Sequence, residues 1–267
     1  MTTRPLIGAH IHGGDPIAEA TARGAEAAQI FIGDPQGWKK PVVDYPGGAE
    51  GLKAAAEAAG ITLYVHAPYV LNVATTNNRI RIPSRKLLQQ QIAAAAEVGA
   101  AGIIVHGGHV LAGDDPEVGF DNWRKCVERT EMPIPVLIEN TAGGTNAMAR
   151  GLERIERLWE SVQQAEGDQP VGFCLDTCHA YAGGEELAGL ADRVRAVTGR
   201  IDLVHANDSR DAFNSGADRH TNIGQGSLPQ DELAELVRSA NAPVIVETPG
   251  GAEGQGADIA WLREQMS

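Results

Sequence analysis

Short apolar runs alternate with amphipathic stretches from one end of this chain to the other, and that alternation restricts the fold more than any other feature. Eight runs, Leu6–His10, Gln29–Ile32, Thr62–His66, Gly102–His106, Val136–Asn140, Val171–Asp176, Ile201–Asn207 and Pro243–Thr248, are rich in Val, Ile and Leu. Such runs suit strands buried on both faces, as in a parallel sheet. The segments between them, Ile17–Ala27, Ala49–Ala59, Ser84–Val98, Pro116–Arg129, Ala149–Gln164, Glu185–Val197, Gln230–Ser239 and Ala257–Glu264, read as helices. Gly60, Gly99 and Gly199 follow three of them where a C-cap is expected. Eight strands, each followed by a helix, predict an α/β fold, the (β/α)8 TIM barrel. An open doubly wound sheet would normally show a glycine-rich phosphate turn after its first strand, and no GxGxxG stands there. With no long linker and no low-complexity tract, residues 1–267 read as a single domain.

The last residues of the strands carry the chemistry. The first run ends at His10, the third at His66, the fourth at His106, the fifth at Glu139-Asn140 and the sixth at Asp176. The seventh holds His205 before Asn207-Asp208, and the eighth ends at Glu247-Thr248. In barrel enzymes the C-terminal strand ends form the mouth where reactions occur. A single strand-end His is more often a hydrogen-bonded structural residue, and a single carboxylate often caps the next helix. Seven strands converging with such groups need mutual compensation, and bound cations supply it most cheaply. Asp176-Thr177-Cys178-His179 and Asp218-Arg219-His220 add donors; in an extended loop Asp218 and His220 point the same way and Arg219 the other. Nitrogen and oxygen donors suit zinc, manganese or iron, and there are too many for one tetrahedral ion, so the pattern predicts a multinuclear site. Cys178 reads as a small packed strand-to-loop residue rather than a thiolate ligand.

Composition bounds the rest. The chain has 267 residues, 43% hydrophobic and 21% charged, as ordinary soluble globular proteins do. No stretch reaches the ~20 apolar residues of a membrane span, and Met1–His10 lacks the apolar core of a secretory signal. Three cysteines, Cys126, Cys174 and Cys178, make a disulfide framework improbable and point to a reducing cytoplasm. A net charge of −13 argues against a nucleic-acid partner unless the charge is unevenly spread. Glu153, Glu156, Glu160, Glu185, Glu186, Glu232 and Glu235 fall on predicted outer helices. Basic residues gather in Asn77–Lys86, in Trp38-Lys39-Lys40, and at Arg210 and Arg219. The first of these is open to two readings, a solvated helix start or a phosphate contact.

Several stretches carry a resemblance: Val65-His66-Ala67-Pro68-Tyr69, Val105-His106-Gly107-Gly108-His109, Ile138-Glu139-Asn140-Thr141-Ala142-Gly143, Cys174-Leu175-Asp176-Thr177-Cys178-His179-Ala180, His205-Ala206-Asn207-Asp208-Ser209 and Asp218-Arg219-His220 followed by Gly224-Gln225-Gly226. With these the chain resembles the endonuclease IV family, the zinc-dependent apurinic/apyrimidinic (AP) endonucleases, AP endonuclease family 2, of the xylose-isomerase-like superfamily. The resemblance runs nearly end to end. It implies three zinc ions, with manganese able to enter some sites. His66, His106 and Glu139 would hold the first. Glu139 would bridge to a second held also by Asp176, His205 and Glu247, and His179, Asp218 and His220 would hold the third. Glu139 would also serve catalysis, orienting or deprotonating the attacking water. The implied reaction is hydrolysis of the phosphodiester bond 5′ to an abasic site in double-stranded DNA, leaving a 3′-hydroxyl and a 5′-deoxyribose phosphate, by a monomer.

Some positions depart from the family pattern. The usual HPGSH segment is one residue shorter here, His106-Gly107-Gly108-His109. Gln36 stands where the family often has an Arg that enters the base stack; Tyr69 matches the stacking tyrosine, and Val70 replaces a larger Leu. Gln36, Tyr69, Val70 and Arg219 are the implied DNA contacts. His109 is expected to support His106 or to contact phosphate, while Asn140, Asn207 and Asp208 are expected to orient the imidazoles. His10 and His12 are not implied as ligands. Two other classes compete: a divalent-metal sugar isomerase or epimerase on the same barrel, and a DNA- or metal-binding barrel without catalysis. The first would need only one or two metals, and the second leaves nine filled ligand positions unexplained.

Overall fold

In the computed structural model, which describes residues 4–144, 146–167 and 170–266, the apolar runs pair as parallel strands of a closed barrel. The barrel strands are β1 (Ile7–His10), β2 (Ala27–Ile30), β3 (Thr62–His66), β4 (Ile103–His106), β5 (Val136–Glu139), β6 (Val171–Asp176), β7 (Leu203–His205) and, after a small ribbon of β8 (Asp208–Ser209) and β9 (His220–Thr221), β10 (Val244–Val246). Each barrel strand pairs with its neighbour in sequence, β1 closes the ring against β10, and β8 pairs antiparallel with β9. Around them lie α1 (Pro16–Ala22), α2 (Gly48–Ala59), α3 (Asn78–Glu97), α4 (Pro116–Glu128), α5 (Leu152–Gln163), α6 (Thr177–Gly183), α7 (Leu190–Thr198), α8 (Gln230–Ala240) and α9 (Gly251–Gln265). Among the described residues no helix is long and apolar enough to cross a membrane.

Two cores result from the two faces of the strands. Leu63, Val65, Ile103, Val105, Val136, Ile138, Phe173 and Leu175 point outward into a large core shared with the helices. Burying a side chain such as Phe173 or Ile138 stabilises the fold by about 2 kcal/mol each. Inside the barrel, Ala27, Tyr64, Ile104, Leu137, Cys174, Leu203 and Ile245 form a small plug. Gly8 completes it because nothing larger fits: a Cβ there would lie 2.0 Å from the Ala27 carbonyl oxygen. Side chains alternate along a strand, so the residue two positions on from each plug residue is the next interior residue. Those residues are His10, Gln29, His66, His106, Glu139, Asp176, His205 and Glu247. The strand period thus stacks a polar layer directly on the apolar plug.

Several boundaries differ from the sequence-based expectation, and each difference has a local cause. The first helix ends at Ala22, not Ala27, because Gly24 adopts φ +67 and turns the chain, so β2 starts at Ala27 rather than Gln29. The helix expected from Ser84 begins at Asn78; the Asn77 side chain accepts from the Arg79 amide as N-cap, and Pro83 sits inside the helix. Leu152, after Gly151 at φ +72, starts the helix expected from Ala149. The segment 185–189 precedes α7 rather than belonging to it, and the last helix starts at Gly251, not Ala257. Cys178 is not a strand-to-loop residue: it lies in α6, a helix absent from the expectation, where it is fully buried. Asn78–Lys86 forms the first turns of α3, with Arg79, Ile82 and Lys86 facing outward and Ser84 buried.

Candidate metal centre

The polar layer at the mouth converges on Glu139, which is fully buried at the end of β5. Its Oε2 lies 3.3 Å from His66 Nε2 and 3.2 Å from His106 Nε2. Its Oε1 lies 3.0 Å from His205 Nδ1 and 3.3 Å from His179 Nδ1. Each carboxylate oxygen therefore faces two imidazoles. Three groups of donors lie close enough to hold an ion: His66, His106 and Glu139; Glu139, Asp176, His205 and Glu247; and Asp176, His179 and His220, the ligand atoms of each group within 4.8 Å of one another.

The strand-end residues expected at the mouth, His10, His66, His106, Glu139, Asp176, His205 and Glu247, meet in this layer, and loops and a helix bring the rest. His179 arrives on α6, whose N-cap is Asp176: the Asp176 side chain accepts from the His179 amide at 2.6 Å. One carboxylate thus both starts the helix and faces two of the donor groups. His220 arrives on β9, held by its ribbon with β8. Asp218 sits at the rim, 52% exposed, with Oδ1 3.1 Å from His179 Nε2 and 3.1 Å from His220 Nε2. Asp218 and His220 do point the same way, and Arg219 points outward to an ion pair with Asp211.

The surrounding amides lock the ligands. Asn207 Nδ2 donates to Asp176 Oδ2 at 2.7 Å, and the Glu247 amide donates to Asn207 Oδ1 at 2.7 Å. Asn140 Nδ2 donates to the Asp176 carbonyl, the Asp176 amide donates to Asn140 Oδ1, and the Asn140 carbonyl lies 2.9 Å from His179 Nδ1. Asn207, expected to orient an imidazole, holds Asp176 and Glu247 instead. Asp208 also behaves otherwise than expected. It orients no imidazole but accepts from the amides of Ser209, Gly224, Gly226 and Leu228 at 2.8 to 3.0 Å, which fastens the Gly224-Gln225-Gly226 loop. The His109 ring lies 3.3 Å from Asn72 Nδ2, whose side chain also binds the His109 backbone.

Sequence reasoning passed over Gln29, the polar residue of β2, which is fully buried and touches Glu247, His205 and His10. Its signal was a lone amide in an otherwise apolar run. His10 is also part of the layer, stacked at 4.3 Å on His12 and 3.2 Å from Glu247 Oε1. Burial pushes His10 down to about 4, so it is neutral at pH 7. The thiol of Cys174, beneath His205, is pushed up to about 12 by burial and stays protonated.

Opposing charges govern the other groups. Burial would raise Glu139 and Glu247, yet His205 and, for Glu139, His106 hold both well below the usual carboxylate range. Burial would lower His179, His205 and His220, but the carboxylates around them, Asp176 foremost for His179 and His220, raise all three well above 6.5. Asp176 is raised because burial outweighs the imidazoles beside it. The cluster therefore demands positive charge, which protons or cations can supply. The donors also fit divalent ions by their unpaired atoms. Nε2 of His179 and of His220 are buried without a hydrogen-bond partner, although Asp218 Oδ1 is 3.1 Å from each. Nitrogen lone pairs converging with carboxylate oxygens out of hydrogen-bond geometry are what a metal ion requires.

The residues implied as DNA contacts lie at the same mouth. Tyr69 is 45% exposed, its ring 5.4 Å from that of His66 and 5.2 Å from that of Phe31. Its amide donates to the Pro35 carbonyl, which ties it to the loop bearing exposed Gln36. Val70 is partly buried against the core, and Arg219 is 63% exposed.

A closed parallel barrel with such a ring of nitrogen and oxygen donors places the chain in a class: a family model described as xylose isomerase-like TIM barrel matches residues 17–265. A Mycobacterium marinum protein named probable endonuclease 4 is 53% identical over 264 residues, 98% of this chain and 99% of that protein. The crystal structure of endonuclease IV from Thermus thermophilus superposes with a TM-score of 0.83 at 29% identity, covering 98% of this chain and 99% of that one. A D-tagatose 3-epimerase-like protein, TM-score 0.77 at 18% identity over 98% of this chain and 97% of that one, shares the fold alone. The chain belongs to the endonuclease IV family of xylose isomerase-like TIM barrels, and it is an enzyme, an endonuclease.

Proposed function

We propose that this single-domain chain, residues 1–267, is a cytoplasmic, monomeric DNA-repair enzyme. It hydrolyses the phosphodiester bond 5′ to an abasic site in double-stranded DNA, giving a 3′-hydroxyl and a 5′-deoxyribose phosphate. The observation that carries the proposal is the three adjoining donor groups joined through Glu139 and Asp176. A sugar isomerase has no use for the third group, whose two histidines, His179 on α6 and His220 on β9, come from outside the barrel strands.

His66, His106 and Glu139 would hold one zinc ion, Glu139, Asp176, His205 and Glu247 a second, and His179, His220 and Asp218 a third, with Asp176 beside it. Bound divalent ions supply positive charge to the scissile phosphate and water acidified towards neutral pH. The chain's own residues do the placing. Glu139 keeps four imidazoles in register around one carboxylate. Asn207 holds the Asp176 carboxylate and Asn140 fixes its backbone. The apolar plug below the layer keeps bulk water from entering through the barrel floor. Tyr69, Gln36 and Val70 would meet the gap left by the missing base, where flipping the sugar out is least costly. Arg79 and Lys86 on α3, with Lys39 and Lys40, would meet duplex phosphates although the whole chain carries −13.

The test is incision of a duplex oligonucleotide bearing one abasic site. The zinc-loaded protein should cut 5′ to the site, and Glu139→Gln should slow the cut at least about a hundredfold, the scale of losing a preorganised charge. No cut by the zinc-loaded parent protein would overturn the proposal.

A further inference from the structure

Strand β2 brings neither a histidine nor a carboxylate to the mouth; it brings Gln29. The amide is fully buried and makes three contacts in the polar layer. Nε2 lies 2.6 Å from Glu247 Oε1 and 2.7 Å from His10 Nδ1, and Oε1 lies 2.8 Å from His205 Nε2. Its orientation follows from chemistry: exchanging nitrogen for oxygen would set two oxygens 2.6 Å apart at Glu247. With the oxygen toward His205, Nε2 of that ring must carry the hydrogen, since an amide oxygen only accepts. In the ion-loaded protein the ring is neutral with this one hydrogen, so Nδ1 offers its lone pair to the ion. Nδ1 is the nitrogen that lies 3.0 Å from Glu139 Oε1 and 3.3 Å from Glu247 Oε2. On Glu247 the same amide occupies Oε1 and leaves Oε2 facing His205 and Asn207.

We infer that Gln29 is a positioning residue for the group Glu139, Asp176, His205 and Glu247: one amide selects the ring nitrogen of His205 and the carboxylate oxygen of Glu247 that face the ion. The inference rests on the proposal that this group holds a divalent ion. Its effect is local. His66 is fixed independently, with Nδ1 2.7 Å from the Ala67 carbonyl, and His179 by the Asn140 carbonyl. Loss of the Gln29 amide should therefore loosen one ion rather than all.

Zinc-loaded parent protein and Gln29→Met, which keeps the length and apolar bulk without the amide, are titrated with a chelator while zinc retained per chain is read. The expected result is one zinc released at about tenfold lower chelator concentration in the variant, the scale of a lost supporting hydrogen bond, with the remainder at the parental midpoint. In nitrogen-15 imidazole spectra of the loaded parent, His205 should show its proton on Nε2. If Gln29→Met does not fold, Gln29→Ala carries the same comparison. A folded variant that keeps all its zinc at the parental midpoint, or loses every ion equally, overturns the inference, as does a His205 proton on Nδ1. A parent protein that binds no zinc overturns the metal proposal, and this inference with it; a zinc-loaded parent with an unaltered variant overturns this inference alone.

Discussion

Asn207 Nδ2 sits 2.7 Å from Asp176 Oδ2, joining the end of β7 to the end of β6 through two fully buried side chains. The same Asn207 side chain accepts from the Glu247 amide, so a single residue spaces two of the carboxylates that would share an ion. Removing it frees Asp176 to turn away from the group it shares with Glu139. Asn207→Ala is expected to lower zinc affinity or incision by about ten- to a hundredfold, measured by chelator competition and single-turnover cutting, with the helices intact by circular dichroism.

Asp208, the next residue along the chain, should separate stability from metal binding. Its buried carboxylate satisfies four backbone amides of the 209–228 segment. Asp208→Ala leaves those donors unpaired, and the expected cost is about 2–4 kcal/mol of stability, read from urea unfolding of the zinc-loaded protein. The zinc count should stay at the parental value at low temperature.

The charges at the mouth predict opposite pH responses for the metal-free and loaded forms. His179, His205 and His220 are raised above 6.5 in the folded chain, so their contribution is full below 6.5 and is lost as pH rises through their folded values. Glu139 and Glu247 are lowered from 4.5, so theirs is full above 4.5 and is lost as pH falls through their folded values. The metal-free chain should therefore be most stable between 4.5 and 6.5 and weaken toward alkaline pH. The loaded chain should instead weaken on acidification, because protons displace the ions from imidazole. Thermal unfolding across pH with and without chelator checks both slopes; parallel slopes would contradict this account.

Gln36 lies on the loop whose Pro35 carbonyl holds the Tyr69 backbone, exposed beside the aromatic ring expected at the gap. Gln36→Arg should tighten binding to abasic duplex several-fold and steepen its salt dependence by about one unit, as one added phosphate or base-stack contact would. Equal affinity for Gln36→Arg and the parent protein would place the loop away from the DNA.

Much of the barrel could be read directly from the strand runs, because a strand buried on both faces leaves an unbroken Val, Ile and Leu signal, as in Ile103–Val105 and Val136–Ile138. The second strand slipped by two residues since Ala25-Glu26-Ala27-Ala28 has no contrast between helical and strand periods, and only the positive φ of Gly24 decides. The third helix was expected from Ser84, but the Asn77 cap starts it six residues earlier, at Asn78. The short helix α6 was hidden because Asp176 looked like a strand-end ligand and is also a helix cap. Single residues at the mouth were legible as donors, whereas the support of Gln29 for His205 was not, since pairing across 176 residues of chain leaves no local pattern.

Metal stoichiometry tests the central claim most directly. Elemental analysis of the purified protein, with concentration fixed by amino-acid hydrolysis, should find three zinc ions per chain, one for each donor group. One or two ions per chain, zinc or manganese, would contradict a trinuclear nuclease and return the barrel to the sugar-isomerase reading.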